Sequence, residues 1–383
     1  MREKQILPFV VIALVAALVS VVAMWSLDRS GQGVGLTKTV RGADEFIEWK
    51  LVTTWPKGLP GLGAAPENFA RRVNEASGGR LKIKVFGAGE IVPPFEVFDA
   101  VSRRVAEAGH GASYYWKGKI PAAVFYTAVP FGMTAQEANG WLHYGGGLPL
   151  WRELYAPFGV VPFAGGSTGV QMAGWFNKRL NSREDLVGLK MRIPGLAGEV
   201  FDAAGGSAVR IAGGEVYTSM QTGVIDAVEW VGPYNDRTLG LMEVGDYYYY
   251  PGWHEPGAML EIIINEDALA ALPDDLQAIV TVAARATNSD MLDDFTAHNS
   301  ESLDILLRDF DTELLPLPDD VMDVLYEQSQ VAVQALIDAD PMAAKIAASY
   351  FDFFERVRTY HEISERAYLN GRDRVMPPVS FTE

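Results

Sequence analysis

Two short segments carry the residues best suited to chemistry: GLKMRIPG, with Arg192, and GVIDAVEWVGP, with Glu229 and Trp230. An arginine in an apolar strand and a carboxylate entering a Trp/Pro/Gly turn are costly to bury alone, so each calls for a partner charge or a ligand. A guanidinium offers a planar fork that fits a carboxylate bidentately and stays charged when buried, which makes Arg192 the candidate anion-binding group. A structural salt bridge to one of the many acidic residues is the competing reading. Glu229 and Glu255, in AVEWVGP and WHEPGAML, both stand among glycine, proline and aromatic residues. If they converge they form a hard-oxygen site suited to Na+ or Ca2+, completed by a backbone carbonyl or an amide such as Gln171. If they do not, they are ordinary surface glutamates at turns.

Other chemistries find little support. His254 and Glu255 begin like a zinc-protease helix, but Pro256 and Gly257 follow and HExxH is absent. The five histidines are scattered without metal-ligand spacing, and there is no cysteine, which excludes disulfides, thiolate metal sites and a cysteine nucleophile. Paired glutamates would also serve a secreted hydrolase as acid and base, with Glu229 and Glu255 the candidates. GLPGLGAAP, Gly58 to Pro66, imitates a dinucleotide loop but lacks the full GxGxxG pattern.

These residues need elements to hold them. The 383 residues suffice for two cored domains, with 49% hydrophobic and 21% charged residues. The net charge of −17 argues against nucleic acid or an anionic membrane surface as partner, while leaving room for a small anion at a local basic residue. Arg2 and Lys4 precede an apolar stretch from Ile6 to Leu27, an export segment that is either cleaved or kept as an anchor. Residues 1–29 form this segment, residues 30–43 a Gly-rich linker, and the acidic body lies outside the cytoplasm.

Strands are expected at Glu48 to Trp55, Leu81 to Phe86 and Ala112 to Trp116, alternating with helices over Pro66 to Ala76 and from Phe95 toward Gly109. That alternation predicts a parallel sheet with crossovers. A second such pattern has strands at Met172 to Phe176, Lys190 to Ile193, Ala227 to Val231 and Tyr247 to Tyr250. The expected fold is α/β and two-lobed, with a ligand cleft between lobes and long C-terminal helices. Lobe I takes residues 44–168 plus 257–296, and lobe II takes 169–256 plus 297–340. In the final helix Ile346, Tyr350, Phe353, Val357, Tyr360 and Ile363 make one aromatic seam, which either packs on its own body or on a second subunit.

GLKMRIPG, GVIDAVEWVGP, SYYW at Ser113 to Trp116, TGVQMAGWF at Thr168 to Phe176 and YYYYPGWHEPG at Tyr247 to Gly257 together resemble the substrate-binding proteins of tripartite ATP-independent periplasmic (TRAP) transporters. The likeness is strongest to the subgroup that binds 2-oxo acids such as pyruvate. The resemblance implies a receptor and not an enzyme, with membrane transporter subunits as partners. It implies that Arg192 pairs with the substrate carboxylate and that Gln171, Glu229, Trp230 (through its carbonyl) and Glu255 hold a Na+ or Ca2+ bridging to the substrate. Tyr114 and Tyr115 then lie beside the substrate, with Thr53 and Trp55 lining the cleft. A dicarboxylate would need a second cationic group, so a 2-oxo or 2-hydroxy monocarboxylate is expected. The resemblance also implies a homodimer that exchanges the helix within residues 341–383.

Overall fold

The computed structural model describes residues 46–378. The export segment and linker, together with residues 379–383, lie outside the described residues. Among the described residues no helix is long and apolar enough to cross a membrane.

The chain forms two sheets. Strands β1 (Ile47–Thr53), β2 (Leu81–Phe86), β3 (Ala108–Gly111) and β4 (Val160–Ser167) come first. Then follow β5 (Gly174–Phe176), β6 (Lys190–Arg192), β7 (Ser207–Val209), β8 (Ala227–Val228), β9 (Tyr247–Tyr250), β10 (Met259–Asn265) and β11 (Glu313–Pro316). The five-stranded sheet has the order β2-β1-β3-β10-β4 and the six-stranded sheet β11-β9-β5-β8-β6-β7. The chain therefore leaves the first sheet after β4, builds most of the second, returns for β10 and leaves again for β11.

Two expectations need correction. The sheets are mixed: β2, β1 and β3 run parallel as predicted, but β10 is antiparallel to β3 and β4, and β5 is antiparallel to β8 and β9. A strand inserted on the return from the other sheet arrives from the opposite end. The strand read at Ala112 to Trp116 lies earlier, as AGHG in β3, and SYYW is a 3-10 turn after it. Small residues are required in β3, because a Cβ on Gly109 would sit 2.8 Å from Val97 and 3.1 Å from Ile263. The aromatic run is thereby placed at the carboxyl end of a parallel strand, where open α/β sheets bind ligands.

The helix Asp274–Asp309 packs its early turns, with Leu276, Val280 and Ala284, against the five-stranded sheet. Further along, Phe295 meets Tyr234 at 6.0 Å and lies against Gly61, whose added Cβ would come within 2.4 Å of the ring. In the last long helix, Pro341–Ile363, the seam divides. Ile346 and Tyr350 are buried, the Tyr350 hydroxyl accepting from Met133 N at 2.8 Å, whereas Tyr360 and Ile363 are 63% and 77% exposed.

Glu261 interrupts the apolar run of β10 and is fully buried, accepting from Trp116 Nε1 at 2.6 Å and the Tyr155 hydroxyl at 2.9 Å. Burial pushes its carboxyl up to about 8, against the opposing effect of those two donors. In the unfolded chain a glutamate titrates near 4.3. The folded state thus keeps a proton that the unfolded state has lost, so this contribution to stability is complete below about pH 4 and is lost as pH rises through about 8. Glu261→Gln keeps the shape without the titration. Urea unfolding of this variant is expected to vary less between about pH 5 and 8 than wild type, by on the order of a few kcal/mol; an unchanged slope would show that Glu261 is ionised in the fold.

Candidate functional site

Arg192 is the last residue of β6 and pairs in register with Val228 of β8, so the next residue of β8's chain, Glu229, emerges beside it. The backbone closes this neighbourhood, with Glu229 N donating to Arg192 O at 3.2 Å. Arg192 Nη1 donates to the Glu229 carbonyl at 2.8 Å and to its Oε1, forming a salt bridge with both side chains buried. Nε donates to Ile211 O at 3.2 Å and Nη2 to the Tyr115 hydroxyl at 3.3 Å. The guanidinium lies over the Trp230 ring, 4.8 Å from its centroid. Burial works against the charged arginine, but Glu229, foremost among its neighbours, more than restores it, so Arg192 remains a cation.

The structural and ligand-binding readings of Arg192 are therefore not exclusive. Its Nη1 hydrogens are committed to Glu229, while the Nη2 side reaches only a phenol that can turn away.

Glu255 follows β9 through the segment PGWHEPG. Gln171 N donates to its carbonyl at 3.2 Å, and Gln171 Nε2 to its Oε2 at 2.7 Å. Burial raises the Glu255 carboxyl well above its usual range and the charge of Glu229 adds to this, while Arg192 and hydrogen bonds from Tyr114 and Gln171 oppose it. Gln171 is itself buried, and its Oε1 has no hydrogen-bond partner. That orphaned carbonyl and the oxygens of two buried glutamates are the donor set a hard cation takes. Ligand atoms of Glu229, His254 and Glu255 all lie within 4.8 Å of one another. His254 directs Nε2 to Glu229 Oε2 at 3.1 Å, so its nitrogen is engaged by the carboxylate.

These groups enclose a cavity of about 10 Å³ lined by Trp55, Tyr114, Tyr115, Gln171, Arg192, Trp230 and Glu255, with Thr168, Leu62, Val231, Ala258 and Leu260 completing the wall. The five-stranded sheet and its loops supply Trp55, the tyrosines and Leu260, and the six-stranded sheet supplies Arg192 and Trp230. Trp55 meets Trp230 edge to face at 6.2 Å and is held by its own Nε1 donating to His110 Nδ1 at 2.9 Å. The carbonyl of Gly165 lies 3.1 Å from His110 Nε2, and burial lowers this histidine to about 4, so it stays neutral with the proton on Nε2. Two glycines make room for the aromatics. A Cβ on Gly213 would enter the Trp230 ring at 2.2 Å, and Gly195, at φ +70°, lies against Tyr114.

Of the residues expected from sequence, Arg192, Gln171, Tyr114, Tyr115, Trp230 and Glu255 line this cavity, and Glu229 joins them as the salt-bridge partner of Arg192 without lining it. Thr53 is not among the lining residues; it is buried, and its Oγ1 accepts from Trp55 N at 3.3 Å. His254, which the sequence suggests only as an incomplete zinc-protease motif, lies beside Glu229 instead. Its sequence position next to Glu255 was the available signal.

Two mixed α/β sheets meeting over a small charged cavity define a two-lobed solute receptor. Residues 51–339 match the family model described as bacterial extracellular solute-binding protein, family 7, and the chain belongs to this family. It is 41% identical over 334 residues to a monocarboxylate 2-oxoacid-binding periplasmic protein of Nostoc sp., covering 87% of this chain and 91% of that one. A TRAP periplasmic solute-binding protein from Pseudoalteromonas atlantica, solved with bound sodium and pyruvate, superposes with a TM-score of 0.83 at 40% identity, over 85% of this chain and 99% of that one. A TRAP transporter solute-binding protein from Bordetella bronchiseptica, a mixed-occupancy dimer with calcium and picolinate in one site, gives 0.85 at 35% identity, over 87% and 99%. The chain is a TRAP-type solute receptor, and the family binds solutes without transforming them.

Proposed function

We propose that this receptor binds a small 2-oxo monocarboxylate of the pyruvate type together with a Na+ or Ca2+ ion, and delivers it to the membrane subunits of a TRAP transporter. The observation that carries the reading is the joint placement, on one buried cavity, of Arg192 with the Glu255 and Gln171 oxygens, with Glu229 salt-bridged to Arg192 beside it. Pyruvate and picolinate, held by the two structural relatives, share a carboxylate with a second donor atom on the neighbouring carbon. Such a ligand can place its carboxylate at the Nη2 edge of Arg192 and its second donor toward the glutamates, with the Tyr114 and Tyr115 hydroxyls as further donors. The cation supplies charge to offset the two glutamates and a Lewis-acid contact for the ligand's second donor, with Glu229, Glu255, Gln171 and the Trp230 carbonyl as the residues that hold it. Among the described residues Arg192 is the one cationic side chain lining the cavity, so a second carboxylate has no counter-charge among them.

A cavity of about 10 Å³ accommodates roughly one water. Ligand entry therefore requires the two sheets to separate, and ligand contacts from both sides favour reclosure. Lobe boundaries at residues 44–168 plus 257–296 and 169–256 plus 297–340 are supported by the strand allocation, with the helix Asp274–Asp309 common to both. The export segment and the relative's periplasmic designation support a periplasmic body. The exposed Tyr360 and Ile363, and the dimeric Bordetella relative, support a homodimer through the C-terminal helix; a monomer in equilibrium sedimentation would remove it.

Thermal shift tests the specificity. At roughly one hundred times Kd a ligand adds about 2.7 kcal/mol, a rise of several degrees. Pyruvate and related 2-oxo acids are expected to raise Tm with Na+ or Ca2+ present and to do so little after chelation and desalting. Stabilisation by dicarboxylates but not by pyruvate overturns the assignment.

A further inference from the structure

Asn235 is wholly buried in the short helix Pro233–Thr238 that follows Trp230, and both ends of its amide are engaged. Its Oδ1 accepts from Trp230 Nε1 at 3.3 Å and its Nδ2 donates to the Pro60 carbonyl at 2.8 Å. Trp230 belongs to the six-stranded side of the cavity and stacks on Arg192. Pro60 belongs to the GLPGLG loop that follows β1 in the five-stranded sheet, a motif that nucleotide chemistry does not explain and whose Leu62 lines the cavity. The next residue, Asp236, fixes the backbone on which this depends. Its Oδ1 accepts from Val231 N and Gly232 N at 3.3 and 3.1 Å, and its Oδ2 from Trp175 Nε1 and the Tyr248 hydroxyl at 3.2 and 2.7 Å.

We infer that Asn235 is a positioning residue that couples the orientation of Trp230 to closure. The amide joins the indole over Arg192 to the loop of the opposite sheet, so the two halves are bonded to each other through the same side chain that holds the site's aromatic wall. An acceptor alone would orient Trp230 and a donor alone would tie the loop; the amide does both, through two separate atoms. Separation of the sheets breaks the bond to Pro60, and reclosure remakes it when Trp230 is correctly turned. The inference rests on the receptor reading given above.

Two variants separate these roles. Asn235→Asp retains an acceptor for Trp230 but loses the donor to Pro60, and Asn235→Leu loses both. With pyruvate and the cation as probe, Asn235→Asp is expected to speed dissociation in stopped-flow by on the order of tenfold while leaving association near wild type, and to lower the ligand-free Tm because its carboxylate is buried facing the Pro60 carbonyl. Asn235→Leu should weaken binding further, and both should show a reduced ligand-induced Tm shift. A parallel fall of the free and liganded Tm with unchanged dissociation would mark Asn235 as a purely structural amide and overturn the inference alone. A wild-type protein that binds no pyruvate with either cation overturns the receptor specificity, and this coupling with it.

Discussion

Arg192→Ala is expected to lower pyruvate affinity by roughly a hundredfold or more and, in the same protein, to lower the ligand-free melting temperature. Both effects follow from one geometry. Truncating one member of a buried, hydrogen-bonded charge pair costs about 2–5 kcal/mol, much of it the penalty left on the partner. Here the partner is Glu229, fully buried, whose Oε1 and carbonyl both lose Nη1. The Ile211 carbonyl and the Tyr115 hydroxyl each lose a donor, and the Trp230 ring loses its cation. Arg192→Lys keeps a point charge but not the fork that reaches Glu229 and Tyr115 at once, so part of the stability and little of the affinity should return. Isothermal titration with urea unfolding reads the two losses separately. Full affinity in the alanine variant would remove Arg192 from the site.

The second large effect has the opposite signature. Glu255→Gln is expected to abolish the cation dependence of ligand binding, again with roughly a hundredfold loss of affinity, while the ligand-free protein is as stable as wild type or more so. Glu255 is a carboxyl whose ionisation is opposed by burial and by Glu229, so in the ligand-free protein its neutral isostere removes a cost and leaves the bond network largely in place. Gln171 Nε2 still finds an oxygen at this position, and Tyr114 still finds a partner. The measurement is titration of pyruvate at varied Ca2+ and Na+ beside thermal unfolding without ligand. A variant that keeps its cation response would exclude Glu255 as a ligand to the ion. Arg192 and Glu255 thus differ in what they do before the solute arrives: one supports the fold, the other strains it.

Much of this was legible because burial of charge is written plainly in sequence. Arg192 in LKMRIPG and Glu229 in AVEWVGP stand where only a partner makes them tolerable, and each proves to be the other's partner. The last long helix was readable from its apolar seam, and β1 and β2 from their runs of apolar residues spaced by polar ones. What escaped notice has physical reasons. Strand β3 is made of alanine, glycine and histidine because neighbours approach too closely for larger residues, so it lacks the β-branched signature, and its aromatic successor imitated a strand. Strand direction depends on which sheet the chain is returning from, and no local pattern records that. His254 and Asn235 act through contacts set by tertiary placement, one on Glu229 and one on Pro60. Glu261, by contrast, could have been flagged as an ionisable residue inside an apolar run.

The pairing of Arg192 with Glu229 bears on how a solute arrives. The chain carries a formal charge of −17, and among the described residues the one cationic side chain lining the cavity, Arg192, is already matched by Glu229, so the net field does little to draw an anion inward. An incoming monoanion meets a repulsive field that dissolved salt shortens to about 8 Å at physiological ionic strength. Capture should then quicken as salt is added, the reverse of an electrostatically steered receptor. Such a receptor holds a solute by short-range contacts in the cavity and not by attraction from afar.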